Sequence, residues 1–120
     1  MKKFSVIKRV QSFKYAFKGI THVFVQEHNM WIHLFAAVCV VFVGFYFNIN
    51  AIEWGLVFFA IGMVIAAEIF NSAIEKLVDL FSTEQNEKAG LIKDIAAGAV
   101  LVCAITAALI GLIIFIPKLF

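Results

Sequence analysis

The sequence predicts an all-α membrane protein with three transmembrane helices, preceded by an amphipathic helix on the membrane surface. Three observations carry this. Of 120 residues, 63% are hydrophobic and only 15% charged, with a mean hydropathy of +0.99; soluble domains carry roughly a quarter charged residues. Residues 28–52 and 95–117 contain no Asp, Glu, Lys or Arg over 25 and 23 positions, each enough to cross a hydrocarbon core of about 30 Å. Charge is also segregated: residues 1–26 carry Lys2, Lys3, Lys8, Arg9, Lys14 and Lys18 and no acid, while all 8 acids lie between Glu27 and Asp94.

The length allows one domain, 1–120, and excludes a two-lobed enzyme. Cys39 and Cys103 each sit in an apolar run, which excludes a disulfide framework and offers no zinc-ligand spacing. A net charge of +2 is too small to imply nucleic acid. No cleaved signal is expected, because Lys14 and Lys18 interrupt any apolar core behind the basic start.

Over 4–26, Phe4, Ile7, Val10, Phe13, Phe17, Ile20 and Phe24 recur every three or four residues, with basic residues mainly between them. This spacing predicts an amphipathic helix, apolar side in the lipid or packed on the protein itself. The first span is placed at about 30–47, with Trp31 and Trp54 near opposite interfaces and a turn at Asn48-Ile49-Asn50. The second segment, 52–80, is harder. Its charge-free part, 54–67, has 14 residues, or about 21 Å, too short to cross. Extending it takes in Glu68 and Asn71. The third span lies in the helix 92–116, and if the second segment crosses, all nine basic residues before the charge-free stretch 95–117 share one side with the N-terminus, leaving only Lys118 across the membrane. The positive-inside rule prefers this arrangement and puts the N-terminus in the cytoplasm. Between spans two and three, Ser82 or Thr83 is expected to cap a short helix running through Glu87.

On a helix, Glu68, Asn71, Ser72, Glu75 and Asp79 fall on one stripe within about 100° of arc. An acid near the centre of a span costs roughly 2.5–3.5 kcal/mol, so such a stripe is expected to line a site or meet partners. Glu27 stands at the entry of span one, Glu75 at the exit of span two, and Lys93 and Asp94 at the entry of span three. Glu68 lies about two turns deeper, roughly 10 Å. Carboxylates are hard ligands apt for a Mg²⁺ that also holds phosphates, and a lysine beside them binds phosphate as a point charge. A deep, partly desolvated Glu is suited to taking a proton from a hydroxyl arriving through the lipid. The layout fits phosphoryl transfer at the membrane surface. The bland alternative for Glu27, Glu75, Lys93 or Asp94 taken singly is an interfacial ion pair, such as Glu75 with Lys93. No G-x-x-x-x-G-K-[ST] motif occurs, so a nucleotide site here is not a P-loop. His28 and His33 are five apart, too far round a helix to form a metal pair, and are read as structural or interfacial.

The string Glu68-Ile69-Phe70-Asn71-Ser72-Ala73-Ile74-Glu75-x-x-Val78-Asp79, followed by Lys93-Asp94-Ile95-Ala96-Ala97-Gly98-Ala99-Val100, resembles the prokaryotic diacylglycerol kinase family, which includes undecaprenol kinases. Phe13-x-Tyr15-Ala16-Phe17-x-Gly19 and Glu27-x-Asn29-x-x-Ile32-His33 agree with it, and the likeness runs over about 8–105. The resemblance implies a homotrimeric bundle with active sites shared between subunits, in the bacterial inner membrane. It implies ATP-dependent phosphorylation of a lipid hydroxyl, on diacylglycerol or undecaprenol. By position, Glu68 resembles the catalytic base and Asn71 its polar support, Glu27 and Glu75 the ligands of Mg-ATP, and Lys93 and Asp94 the nucleotide-binding pair. Tyr15, Lys8 and Arg9 resemble nucleotide or headgroup contacts. The sequence departs from the family where Glu-Tyr-His is usual and Glu84-Gln85-Asn86 stands, so a His contact to nucleotide is missing; Leu91-Ile92 replace the usual Arg or Ala. Two rivals from other classes are a small proton-coupled transporter and a non-catalytic membrane assembly protein. Against the first, Glu27 is at an interface and a fourth span is lacking; against the second, every expected ligand is in place.

Overall fold

The computed structural model describes residues 3–82 and 86–120. They form four helices: α1 Val6–Gln26, α2 His28–Tyr46, α3 Ala51–Phe81 and α4 Glu87–Leu119. The last three are long and apolar enough to cross a membrane.

Helix α1 starts at Ser5, whose hydroxyl accepts from the Lys8 amide at 3.4 Å. Only Val23 of this helix is buried. A single extended residue, Glu27, ends α1 and precedes α2. Trp31 Nε1 donates to the Phe24 carbonyl at 2.6 Å, tying the first turn of α2 to the last of α1, and Met30 is fully buried beside it.

The α2–α3 turn is tight for three local reasons. Asn48 takes a left-handed φ of 52°, which Asn tolerates better than most residues. Gly44 is buried, and a Cβ there would lie 2.8 Å from the Trp54 ring. Asn50 then opens α3 with a capping box, its side chain accepting from Glu53 N at 2.9 Å while the Glu53 carboxylate accepts from Asn50 N at 3.0 Å. The same carboxylate pairs with Lys118 at 3.1 Å, fastening the start of α3 to the end of α4. Ile49, Val57 and Ile114 form the buried core above this pair.

Helix α3 is the hub, packing on α4, α2 and α1. Its buried residues Val57, Ala60, Val64, Glu68, Asn71 and Ser72 recur at helical spacing, so the polar stripe prolongs the apolar one on the same inward face. From Glu53, Glu68 is about 22 Å along the axis and Glu75 about 33 Å. The separation of Glu53 and Glu75 matches a hydrocarbon core of about 30 Å, and Glu68 lies between them.

Helix α4 begins earlier than the expected 92. Asn86 accepts from the Ala89 amide at 2.7 Å and Glu87 occupies the first turn, both favourable at a helix N-terminus. Ser82 ends α3, and its hydroxyl accepts from Asn86 Nδ2 at 2.8 Å; the segment it is expected to cap lies largely outside the described residues. Thr83, and Glu84-Gln85 of the family departure, lie outside the described residues.

Gly44→Ala should lower stability by about 1–3 kcal/mol, because the new methyl displaces the Trp54 ring from its packing on Phe45 and Phe58. Melting of the purified protein in lipid nanodiscs, followed by tryptophan fluorescence, checks this.

Candidate active site

The inward face of α3 carries the site. Deepest is Glu68, 2% exposed. Its Oε2 stands 3.3 Å from His33 Nε2 on α2, and among the described residues it has no other polar partner. Nearly a turn further along, Asn71 is also buried and donates from Nδ2 to Glu75 Oε1 at 3.2 Å. Asn71 Oδ1 is buried with no partner among the described residues. The donation to Glu75 sets the amide with Nδ2 toward that carboxylate and Oδ1 away from it.

Ser72, 2% exposed, donates to Glu27 Oε1 at 2.9 Å, and Lys76 Nζ reaches the same oxygen at 3.3 Å. Since Ser72 and Glu75 are three apart on one helix, the link brings Glu27 within a turn of Glu75. The Ser72 hydroxyl holds the Glu27 carboxyl below its ordinary value of 4.5; partial burial works against this and Lys76 adds to it. Lys93 Nζ meets Asp79 Oδ1 at 2.6 Å, not Glu75 as the interfacial-pair alternative had it. Asp94 is exposed, with no ion pair or hydrogen bond to another described side chain. Tyr15, Lys8 and Arg9 lie on the exposed face of α1, with the Arg9 guanidinium 5.5 Å above the Phe4 ring. The structure therefore gathers Glu27, Glu68, Asn71 and Glu75 along one face and leaves Asp94, Tyr15, Lys8 and Arg9 outside that gathering.

On the membrane side of Glu68 a cavity of about 450 Å³ opens between α2, α3 and α4. Ala36, Val40, Val64, Ile65 and Ala108 are among its walls, and His33 is its one polar lining residue. His33, which lines the apolar cleft, thus links it to the buried acid at the start of the polar stripe.

Four further residues touch the candidate site residues: His33, Ser72, Lys76 and Asp79. Ser72 and Asp79 were visible on the acidic stripe. His33 cannot pair with His28 on its own helix; its partner, Glu68, is on another.

The sequence signature described as prokaryotic diacylglycerol kinase matches residues 14–115. The chain belongs to the prokaryotic diacylglycerol kinase family. It is 41% identical over 109 residues to an undecaprenol kinase of Bacillus subtilis, covering 91% of this chain and 89% of that protein. It is 35% identical over 109 residues to a diacylglycerol kinase of Synechocystis, covering 90% and 62% respectively, and 31% identical over 93 residues to a diacylglycerol kinase of Escherichia coli, covering 78% and 76%. The family match includes every residue of the buried polar face and omits Lys8 and Arg9.

The link between Ser72 and Glu27 should be measurable by itself. Because the folded Glu27 is held below its ordinary 4.5, its stabilisation is complete above that value and disappears as pH falls through the lower folded value. Ser72→Ala should cost about 1 kcal/mol at pH 7. The gap in melting temperature to the unaltered protein should then narrow as the pH falls below 4.5 and close once the folded carboxyl is protonated.

Proposed function

We propose that this protein is an integral-membrane lipid kinase that transfers the γ-phosphoryl group of ATP to the hydroxyl of a membrane lipid. The observation that carries the reading is Glu68, a buried carboxylate between the charged end of the bundle and His33, the polar wall of the apolar cleft. Family membership supports the same chemistry.

In this reading the lipid chain lies in the cleft and its hydroxyl reaches Glu68. Glu68 Oε1 is bonded to no described residue and takes the hydroxyl proton as the lipid oxygen attacks the γ-phosphorus and ADP departs. Lys93 uses one of its three N–H groups on Asp79, which leaves two for phosphate oxygens. Asn71 Oδ1 offers an acceptor to a donor on the incoming substrate. Asp94 and, from α1, Tyr15, Lys8 and Arg9 serve as outer nucleotide or headgroup contacts.

Among the described residues no three His, Cys, Asp or Glu side chains converge as a metal cage. Mg²⁺ needs none, since it is usually held by one or two carboxylates together with substrate phosphates and water. Glu27 and Glu75 each keep one carboxylate oxygen without a bond to a described residue, and that donor set fits the ion. Bound there with the nucleotide, it supplies offset for phosphate charge.

The reading extends to a homotrimer in the bacterial inner membrane, with the N-terminus and the Glu27–Glu75 end in the cytoplasm. Nine of ten basic residues precede the last span, which supports this orientation. Large apolar residues of α4 such as Leu101 and Ile113 are more than half exposed in the single chain, leaving surface for lipid and for neighbouring copies.

The cleft also favours one lipid alcohol. Apart from His33 it offers no polar side chain, so ester carbonyls drawn into it would lose hydrogen bonds to water without replacement. A polyprenol has no esters. Purified protein in nanodiscs with labelled ATP and Mg²⁺ should phosphorylate undecaprenol with at least about tenfold higher kcat/KM than diacylglycerol, and ceramide less well than either. Glu68→Gln should lose about 100-fold or more in turnover while remaining inserted. Glu75→Gln should instead raise the KM for Mg-ATP. Transfer to no lipid, or near-normal turnover by Glu68→Gln, contradicts the reading.

A further inference from the structure

We infer that His33 is a positioning residue for Glu68, and that the two side chains act as one unit across the α2–α3 contact. The inference rests on the lipid-kinase reading and deepens its site. Glu68 is 2% exposed and lies inside the span. A buried carboxylate without a partner is costly, and among the described residues the only polar group near it is His33 Nε2, at 3.3 Å from Oε2. Asn71, the next polar group on the stripe, spends its amide on Glu75. Ser72 spends its hydroxyl on Glu27. No other side chain of α3 is left to orient Glu68.

The direction of the contact matters. By engaging Oε2, the imidazole leaves Oε1 as the oxygen that meets the substrate hydroxyl, and it removes one rotational choice from a side chain with three torsions. His33 is held in turn by its helix and by the cleft, where it is the one polar wall, its side chain 19% exposed. It therefore touches both the acid and the space from which the hydroxyl arrives. Displacement of a reacting group by about 1 Å costs about 100-fold in rate, so orientation of this one carboxylate should appear in kcat and leave nucleotide binding alone. The nucleotide contacts proposed above, Glu27, Glu75 and Lys93, have their own partners in Ser72, Asn71 and Asp79.

The test is a kinetic comparison of His33→Leu, His33→Gln, Glu68→Gln and the double variant Glu68→Gln/His33→Leu, each in nanodiscs with undecaprenol, ATP and Mg²⁺. His33→Leu should lower kcat about 30- to 100-fold with the KM for Mg-ATP unchanged. His33→Gln, whose amide nitrogen falls near the position of Nε2, should recover most of that loss; it also supplies a reading if His33→Leu inserts poorly. The double variant should be no slower than Glu68→Gln alone, because His33 then has no base to orient. A His33→Leu variant with normal kcat, a loss confined to the KM for ATP, failure of Gln to rescue, or independent multiplication of the two losses would each overturn the inference while leaving the kinase reading intact. If the unaltered protein transfers no phosphate to any lipid, the kinase reading falls and this inference with it.

Discussion

Nothing constrains this chain more than a carboxylate set between two membrane interfaces. Hydrocarbon offers Glu68 no hydrogen bonds, so α3 must turn that side chain into the bundle, and because a helix is rigid the rest of the stripe turns with it. Val57, Ala60 and Val64 then pack inward beneath Glu68, while Asn71 and Ser72 are buried above it. The arrangement at the charged end follows from this orientation. Ser72 reaches Glu27 at the start of α2, and Asn71 reaches Glu75 on its own helix. Asp79, the last acid of the stripe, reaches Lys93 on α4.

The two ends of the bundle are built differently, in a way that suits the proposed chemistry. At the far end, the Asn50–Glu53 box and the Glu53–Lys118 pair fasten α3 to α4 beside a small apolar core. At the other end the contacts are side-chain links around groups that retain unused donors and acceptors, Asn71 Oδ1 above all. The cleft lies between, with His33 at the boundary. In the proposed reaction this organisation would bring an apolar chain and a polyanion to one buried acid from opposite sides without either crossing the other's medium.

Much of this was legible in the residues. The charge-free runs and the sidedness of the lysines foretold three long apolar helices, and the 3.6-residue period foretold that Glu68, Asn71 and Ser72 share a face. What escaped depended on contacts between helices. His33 looks like an isolated span histidine until α2 is laid against α3, and Lys93 has both Glu75 and Asp79 within sequence reach, so only packing selects Asp79. The start of α4 at Glu87 depends on a local cap, the Asn86 side chain accepting from the Ala89 amide.

The most direct test of the proposed division of labour replaces Mg²⁺ with Mn²⁺, bound with a non-hydrolysable ATP analogue, and follows carboxyl-labelled glutamates by NMR in nanodiscs. Paramagnetic broadening should erase the Glu27 and Glu75 signals first and weaken Glu68 less, leaving Glu53 sharp at the far interface. Glu27 and Glu75 signals that survive unbroadened, or a Glu53 signal lost along with them, would place the nucleotide elsewhere and contradict the account.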